Sequence, residues 1–365
     1  MVARPRLTPA IADLRRAVRT ALFSGVSVTG GTGEATDATS ATRVTPTPEN
    51  GIVVVALSGG GDSLALAAAT AFEAPRAGWR AAAVIVDHGL QRGSAEVAEA
   101  AAAQARELGL DPVTVVRVDV ASDDTAGPEA AARAARYAAL DAAADDLGAD
   151  AILLGHTLDD QAETVLLGLA RGSGATSLQG MPAESGRYRR PLLGIPRATT
   201  RQACADAGLA IWDDPHNVDA RYTRVRVRER VLPVLESELG PGVAEALART
   251  AEQLREDTAA LDAFAEEVAE DVVELEEAGI SLSVAALAAN PAALRQRIIR
   301  LVAQSEFHEA LSRTHTLEIA RLVTDWRGQG AVALPGFTAE RRGGRIHLIS
   351  TRAGELTGQK PPHDH

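Results

Sequence analysis

Two polar clusters in this 365-residue chain have residue types and spacings suited to chemistry on phosphate and on an amine. The first is Ser58-Gly59-Gly60-Gly61-Asp62-Ser63, which closes the apolar run from Ile52 to Leu57. Glycines let a backbone approach phosphate with no Cβ in the way. Where such a turn opens a helix, the free N–H groups and the helix dipole favour an anion. The pattern predicts a phosphate loop. It is not a dinucleotide fingerprint, because Leu64 stands where the third glycine belongs, and it is not a Walker loop, because the single lysine of the chain is Lys360. A plain helix start capped by Asp62 or Ser63 is the competing reading.

The second cluster runs Gly155-His156-Thr157-Leu158-Asp159-Asp160-Gln161-Ala162-Glu163-Thr164. With a helix from about Leu158, Asp160 and Glu163 share one face and His156 lies just ahead of it, able to fold back over them. Carboxylates so placed can hold magnesium through oxygen, and the imidazole or a carboxylate can take a proton from an attacking amine. Acids decorating a helix N-terminus to suit its dipole are the plainer alternative, which leaves His156 without a purpose.

These clusters need elements to aim them. Strand signals at Ile52 to Leu57, Ala82 to Val86, Val113 to Val118 and Ala151 to Leu154 alternate with helix signals at Leu64 to Phe72, Ser94 to Leu108 and Glu129 to Leu147. Short buried strands separated by such helices imply right-handed crossovers and an α/β fold, a doubly wound parallel sheet covered on both faces. Ligands of such sheets sit at the carboxyl ends of the strands, where both clusters fall. A fifth strand is expected just before Pro191-Leu192-Leu193, with Arg197 after it. Trp212-Asp213-Asp214-Pro215-His216-Asn217-Val218-Asp219 and then Arg224, Arg226, Arg228 and Arg230 follow. From Ser185 to Arg230 there are ten arginines against five acids, a surplus that suits a polyanion or, more plainly, a solvated face with ion pairs.

The hexapeptide resembles the PP-loop signature of ATP pyrophosphatases. As a set, the stretches from about Gly51 to Glu236 resemble more narrowly the tRNA(Ile)-lysidine synthetases. The set comprises SGGGDS, Val86-Asp87-His88-Gly89-Leu90, Pro128-Glu129-Ala130-Ala131-Ala132-Arg133-Ala134-Ala135-Arg136-Tyr137, GHTLDDQAETVLLGLARGSG running to Gly180-Met181, and WDDPHNVD ahead of the arginine series. The resemblance implies a Rossmann-type, HUP-like PP-loop domain with a long helical linker and a smaller α+β C-terminal domain. It implies an ATP-dependent carbon–nitrogen ligase using ATP and Mg2+. Such an enzyme adenylylates the C2 oxygen of the wobble cytidine in a CAU-anticodon isoleucine tRNA, and the amine of free L-lysine then displaces AMP from C2. It further implies ATP contacts at Ser58, Gly59, Gly60, Gly61, Asp62, Ser63 and Arg133, with catalytic roles for Asp62, His156, Asp160, Glu163 and Arg224. Lysine or tRNA contacts fall on Asp159, Arg171, Arg190, Arg226 and Arg228, and magnesium on Asp62 and Asp160. Two departures stand out. Arg224-Val225 replaces the frequent Arg-Asn, and Pro128 precedes Glu129 where an Asn-Leu pair is usual.

Composition bounds the alternatives. Cys204 is the single cysteine, so an intrachain disulfide, a Cys-x-x-Cys redox pair and a cysteine-built zinc or iron–sulfur site are excluded. A PP-loop tRNA thiolase, which needs more than one cysteine, is the nearest rival. A glutamine-dependent amidotransferase lacks its N-terminal cysteine, and a non-catalytic ATP sensor would leave the His156 cluster unexplained. Ile11, Leu14, Val18 and Leu22 at helical spacing argue for a packed helix over residues 1–23 rather than an export signal, and a cytoplasmic protein without a membrane span is expected. The remaining organisation reads as a disordered insertion at 24–50, the catalytic domain at 51–236, an acidic helical linker at 237–280, a tRNA-binding domain at 281–352 and a disordered tail at 353–365.

Leu247, Leu254, Leu261, Val268 and Leu275 recur every seven residues. They predict one long helix or a helical hairpin, and its seam offers a homodimer surface. Residues 244–278 hold 12 acids and 2 arginines, so they carry −10 of the formal −12 and leave −2 for the rest. The acidity that argues against an RNA partner is thus concentrated in the linker. Helix is expected from Ser283 to Thr324, then two strands, Gly328 to Gly336 and Gly343 to Ile349, around a turn.

Overall fold

The computed structural model describes residues 7–23, 51–89, 93–118, 128–172, 174–214, 219–276 and 279–351. The 24–50 insertion, the 353–365 tail, Leu90 and the Pro215-His216-Asn217-Val218 stretch lie outside the described residues. The chain packs as two units, 1–252 and 253–365.

In the first unit the helices are α1 (Pro9–Phe23), α2 (Gly61–Glu73), α3 (Ser94–Leu108), α4 (Pro128–Leu147), α5 (Leu158–Ala170), α6 (Ala175–Leu178), α7 (Arg197–Ala207), α8 (Thr223–Arg226) and α9 (Leu232–Leu239). A π turn, Val227–Val231, separates the last two. The strands are β1 (Ile52–Leu57), β2 (Arg80–Asp87), β3 (Val113–Arg117), β4 (Ala151–Leu153), β5 (Glu184–Ser185) and β6 (Tyr188–Arg189). They form one sheet in the order β3-β2-β1-β4-β6-β5, parallel except for the β5–β6 pairing. Where one fifth strand was expected there is instead a two-by-two-residue hairpin, short because Gly186 turns the chain and Pro191 cannot extend a ladder.

The side-chain period of two sorts the central strand between two cores. Val53, Val55 and Leu57 pack with α1, α2, α3 and α7, while Val54 packs with Leu140, Ala143 and Ala144 of α4 on the other face. Because both faces are covered, β1 reads as a continuous apolar run rather than an alternating one. Helix α1 buries Ile11, Leu14, Val18 and Leu22 in the first of these cores, as their spacing predicts. The strand order reverses between β1 and β4, so the loops after these two strands flank the switch point where such sheets bind ligands.

Helix α10 (Val243–Val272) begins in the first unit and ends in the second. The second unit continues with β7 (Val273–Glu276), β8 (Gly279–Ser283), α11 (Val284–Ala289), α12 (Ala292–Phe307), α13 (Arg313–Thr324), β9 (Val332–Leu334), β10 (Phe337–Arg342) and β11 (Arg345–Ser350). Its sheet runs β7-β8-β11-β10-β9, antiparallel throughout, over a core in which Phe337 stacks on Phe307 at 4.4 Å.

Two expectations are corrected here. Leu275 leaves the heptad seam, because the helix stops at Val272 and Leu275 pairs with Ile280 in β7, 81% exposed. The segment taken as a turn between two C-terminal strands is itself strand β10, in which Phe337 and Ala339 point inward and Thr338 and Glu340 alternate with them. The turns are Pro335-Gly336 and Gly343-Gly344.

Candidate active site

The loop after β1 is built from backbone. Gly60 caps α2 with no side-chain hydrogen bond, so the first N–H groups of the helix are not claimed by a capping side chain. Gly59 has φ +81°, a left-handed conformation that costs an L side chain about 1–2 kcal/mol. The Ser58 N–H donates to Ser63 Oγ at 3.1 Å, and Ser63 Oγ–H donates to Gly60 O at 3.0 Å, which ties the turn across itself. From behind, Trp212 N donates to Gly59 O at 3.0 Å, and the buried Cys204 thiol donates to Gly61 O at 3.2 Å. Burial pushes that thiol up to about 12, with Asp62 adding to the shift.

The loop after β4 meets the first one directly. A Cβ on Gly155 would lie 3.2 Å from backbone atoms of Asp62 and Ser63, so a side chain there would push the two loops apart by a few tenths of an ångström. Helix α5 then starts at a capping box whose reciprocal half is explicit, the Thr157 N–H donating to Asp160 Oδ2 at 2.8 Å. Gln161 donates to Met181 O at 2.9 Å and accepts from Met181 N at 2.7 Å, which fixes the Gly180-Met181 segment to α5.

Asp62, Asp160 and Glu163 converge on arginines. Arg197, in the first turn of α7, donates from Nε to Asp62 Oδ2 at 3.2 Å and from Nη2 to Asp160 Oδ1 at 2.8 Å, and its Nη1 lies 3.5 Å from Glu163 Oε1. Arg228, in the π turn, grips Glu163 with both Nε (2.6 Å) and Nη2 (3.0 Å) and reaches Asp160 Oδ1 at 3.3 Å. Arg224 places Nε 3.6 Å from Glu163 Oε2 and donates to Thr164 Oγ1 at 3.1 Å. Thr200 donates to Asp62 Oδ1. Asp159 accepts the Arg197 backbone N–H at 2.8 Å, docking α7 on the start of α5.

Burial would raise all three carboxyls. Asp160 nonetheless lies below its ordinary value, because Arg197, the Thr157 N–H, His156 and Arg228 together outweigh burial. Burial wins at Asp62, against Thr200 and Arg197, and at Glu163, against Arg228. On a descending pH scale the cluster therefore takes its first protons on Asp62 and Glu163.

His156 has a different setting. Burial, reinforced by Arg190, Arg136 and Arg133 and opposed by Asp160, lowers its pKa to about 4, so the ring is neutral at pH 7. Its Nδ1 is buried without a hydrogen-bond partner, as is Nδ1 of His88 at the end of β2. Arg190 donates to Pro182 O at 2.9 Å, and its buried Nε has no partner. Arg133 leans on Tyr137, with its Nη2 3.1 Å from the hydroxyl.

Of the residues expected at the site, Asp62, Asp160, Glu163, Arg224 and Arg228 come together, with Asp159 alongside as a helix dock. Arg226 spends its guanidinium on Ala220 O, Arg221 O and Thr223 Oγ1 within its own segment. Arg171 is exposed in the turn after α5. Val225, which stands in place of an asparagine, is buried. Sequence reasoning missed Arg197 and Thr200 as site residues. Their one signal is that Arg197 opens a helix directly after Pro196, at the carboxyl edge of the sheet.

A parallel sheet whose order reverses beside a glycine-built, serine-tied anion turn defines a PP-loop nucleotide-binding protein. Comparison with known families agrees: the PP-loop domain matches residues 34–235, and the TilS substrate binding domain matches 282–347. The tRNA(Ile)-lysidine synthase of Leifsonia xyli subsp. xyli is 63% identical over 305 residues, covering 83% of this chain and 91% of that one. The Streptomyces coelicolor tRNA(Ile)-lysidine synthase is 56% identical, covering 82% and 85%. A solved U34-tRNA thiolase, NcsA from Methanococcus maripaludis with its [4Fe-4S] cluster, shares the fold at TM-score 0.53 and 20% identity, covering 68% of this chain and 80% of that one. The chain belongs to the tRNA(Ile)-lysidine synthase family.

Proposed function

We infer that this enzyme forms lysidine on isoleucine tRNA, joining free L-lysine to C2 of the wobble cytidine in a CAU anticodon at the expense of ATP. One observation carries the reading: an anion-binding turn and a His–Asp–Glu cluster flank the same switch point, in a chain of this family. In the first half-reaction the turn Ser58 to Ser63 holds the pyrophosphate portion of ATP, and Arg133 steadies the nucleotide. The C2 oxygen attacks the α-phosphorus, and pyrophosphate departs. In the second, the lysine amine attacks C2 and AMP leaves. That amine must first lose a proton. His156 is neutral and able to accept it, and phosphate charge brought close to the ring raises its basicity. Asp160 and Glu163 handle the lysine amine by exchanging an arginine partner for the ammonium, and Arg224 steadies the adenylylated base.

Magnesium belongs to this reading through Asp62. Among the described residues no three of His, Cys, Asp or Glu are grouped to hold a metal. Both oxygens of Asp160 are engaged, by Thr157 on one side and by Arg197 and Arg228 on the other. Asp62, held by Arg197 on one oxygen, shares the other with the neutral Thr200 hydroxyl, which leaves it a lone pair for a cation. This donor set fits a cation that arrives with ATP and takes one carboxylate plus phosphate oxygens, rather than an all-protein cage. Bound there, it would neutralise charge on the leaving pyrophosphate. Asp160 would join only if Arg197 gave way.

A sulfur-transfer reading has little to use, since the one cysteine is buried under the phosphate turn. Residues 281–352 bind the tRNA in this account, and the setting is cytoplasmic. Among the described residues no helix is long and apolar enough to cross a membrane. A homodimer along α10 would use Phe264, 55% exposed, and light scattering checks it. The test of function is mass spectrometry of the wobble nucleoside after incubating CAU-anticodon isoleucine tRNA with the protein, ATP, magnesium and lysine. Lysidine is expected. Unchanged cytidine, or ATP consumption with lysine but no tRNA, would overturn the reading.

A further inference from the structure

Asp62 sits on the loop after β1, whereas Asp160 and Glu163 sit on α5. Arg228 and Arg224 bind the α5 acids only. Among the described residues Arg197 alone bridges the two groups, offering Nε to Asp62, Nη2 to Asp160 and Nη1 to Glu163. The guanidinium is a rigid planar fork, always charged, so the three donors fix spacing as well as charge. The side chain is itself held. Its backbone N–H is docked on Asp159, and Thr200, one turn along α7, binds the other oxygen of Asp62. The acids drive the arginine's own pKa upward against its burial.

We propose that Arg197 is a positioning residue for the reaction: it locks the aspartate of the phosphate loop to the two acids of α5 at a fixed spacing. Without it Asp62 keeps only Thr200, and among the described residues no other side chain ties it to Asp160 or Glu163. Lysine cannot replace it, because an ammonium is a point charge that satisfies one or two of the three partners. The proposal rests on the lysidine-forming reading for its kinetic arm but not for its stability arm.

The full chain is assayed for tRNA- and lysine-dependent AMP release as wild type, Arg197→Gln and Arg197→Lys, with folding checked by circular dichroism. R197Q is expected to lose about 100-fold in kcat, the scale of a mispositioned catalytic group, with KM for ATP nearly unchanged. R197K should recover only part of kcat, because it restores the charge without the planar fork.

The second arm needs no reaction. The losses in melting temperature of R197Q and Asp62→Asn should fail to add in the double variant, because each single change already breaks the same bridge. A role of Arg197 in packing alone predicts losses that add. A folded R197Q with wild-type kcat would overturn the proposal, as would additive losses in melting temperature. If R197Q does not fold, R197K decides, and wild-type kcat in that variant refutes the need for three donors. A wild type that releases no AMP would sink the functional reading while leaving the stability arm to judge Arg197.

Discussion

The phosphate turn and the carboxylate cluster stand side by side and are made in opposite ways. The turn is one hexapeptide whose working groups are backbone N–H donors, shaped by Gly59 and tied by Ser58 and Ser63. The cluster draws on five separate elements, α2, α5, α7, α8 and the π turn, and its working groups are side chains held by one another. A backbone-built site is specified locally and fails through geometry. A side-chain-built site is specified by tertiary structure and fails through charge.

That contrast can be broken at graded cost. Glu163→Ala has the largest expected effect. Glu163 is fully buried, and its loss leaves Arg228 and Arg224 facing no partner there, so about 3 kcal/mol of stability should go, read by urea denaturation, together with activity. His156→Asn should cost roughly 10²-fold in rate with a smaller loss of stability, as expected of a proton carrier. The sign of its pH dependence is fixed. His156 titrates near 6.5 unfolded and about 4 folded, so between those values the unfolded chain holds more protons and wild-type stability falls as pH falls. The variant lacks that loss, and its deficit in melting temperature should shrink from pH 7.5 to pH 5.

Gly59→Ala sharpens the other side of the comparison. Strain of about 1–2 kcal/mol is expected, with weaker ATP binding by calorimetry and no change in the pH dependence of stability. If G59A instead shifted that dependence, the two constructions would not be independent. Cys204→Ser is the smallest change. A hydroxyl can donate to Gly61 O as the thiol does, and the rate should stay within roughly twofold. Complete loss of activity in C204S would restore the sulfur-transfer alternative.

The same contrast explains what could be read from the sequence. Strand β1 and helices α3 and α4 were legible because burial on one or two faces leaves a periodic apolar signature, and the phosphate turn because all of its chemistry lies within six residues. Arg197 was not legible. Its partners Asp62 and Asp160 are 135 and 37 positions away, and apart from its place at a helix start after Pro196 nothing local distinguishes it from the other arginines between Ser185 and Arg230. Strand β10 was hidden for a related reason. Only Phe337 and Ala339 mark its inward face, and its polar outward residues imitate a turn. Leu275 misled in the other direction, since a heptad count continues regardless of where pairing to Ile280 takes the chain.

The cations around this centre are all guanidinium groups: Arg197, Arg224 and Arg228 at the acids, and Arg133, Arg136 and Arg190 about His156. A guanidinium does not release its proton anywhere in the range where proteins work. These six groups therefore act as constant charges, and the protonation of the centre changes only at carboxyls and imidazole. An alkylammonium ion entering such a place would be the one cation present that can be discharged, and a nucleophile could be made from it without any risk of unloading the scaffold instead.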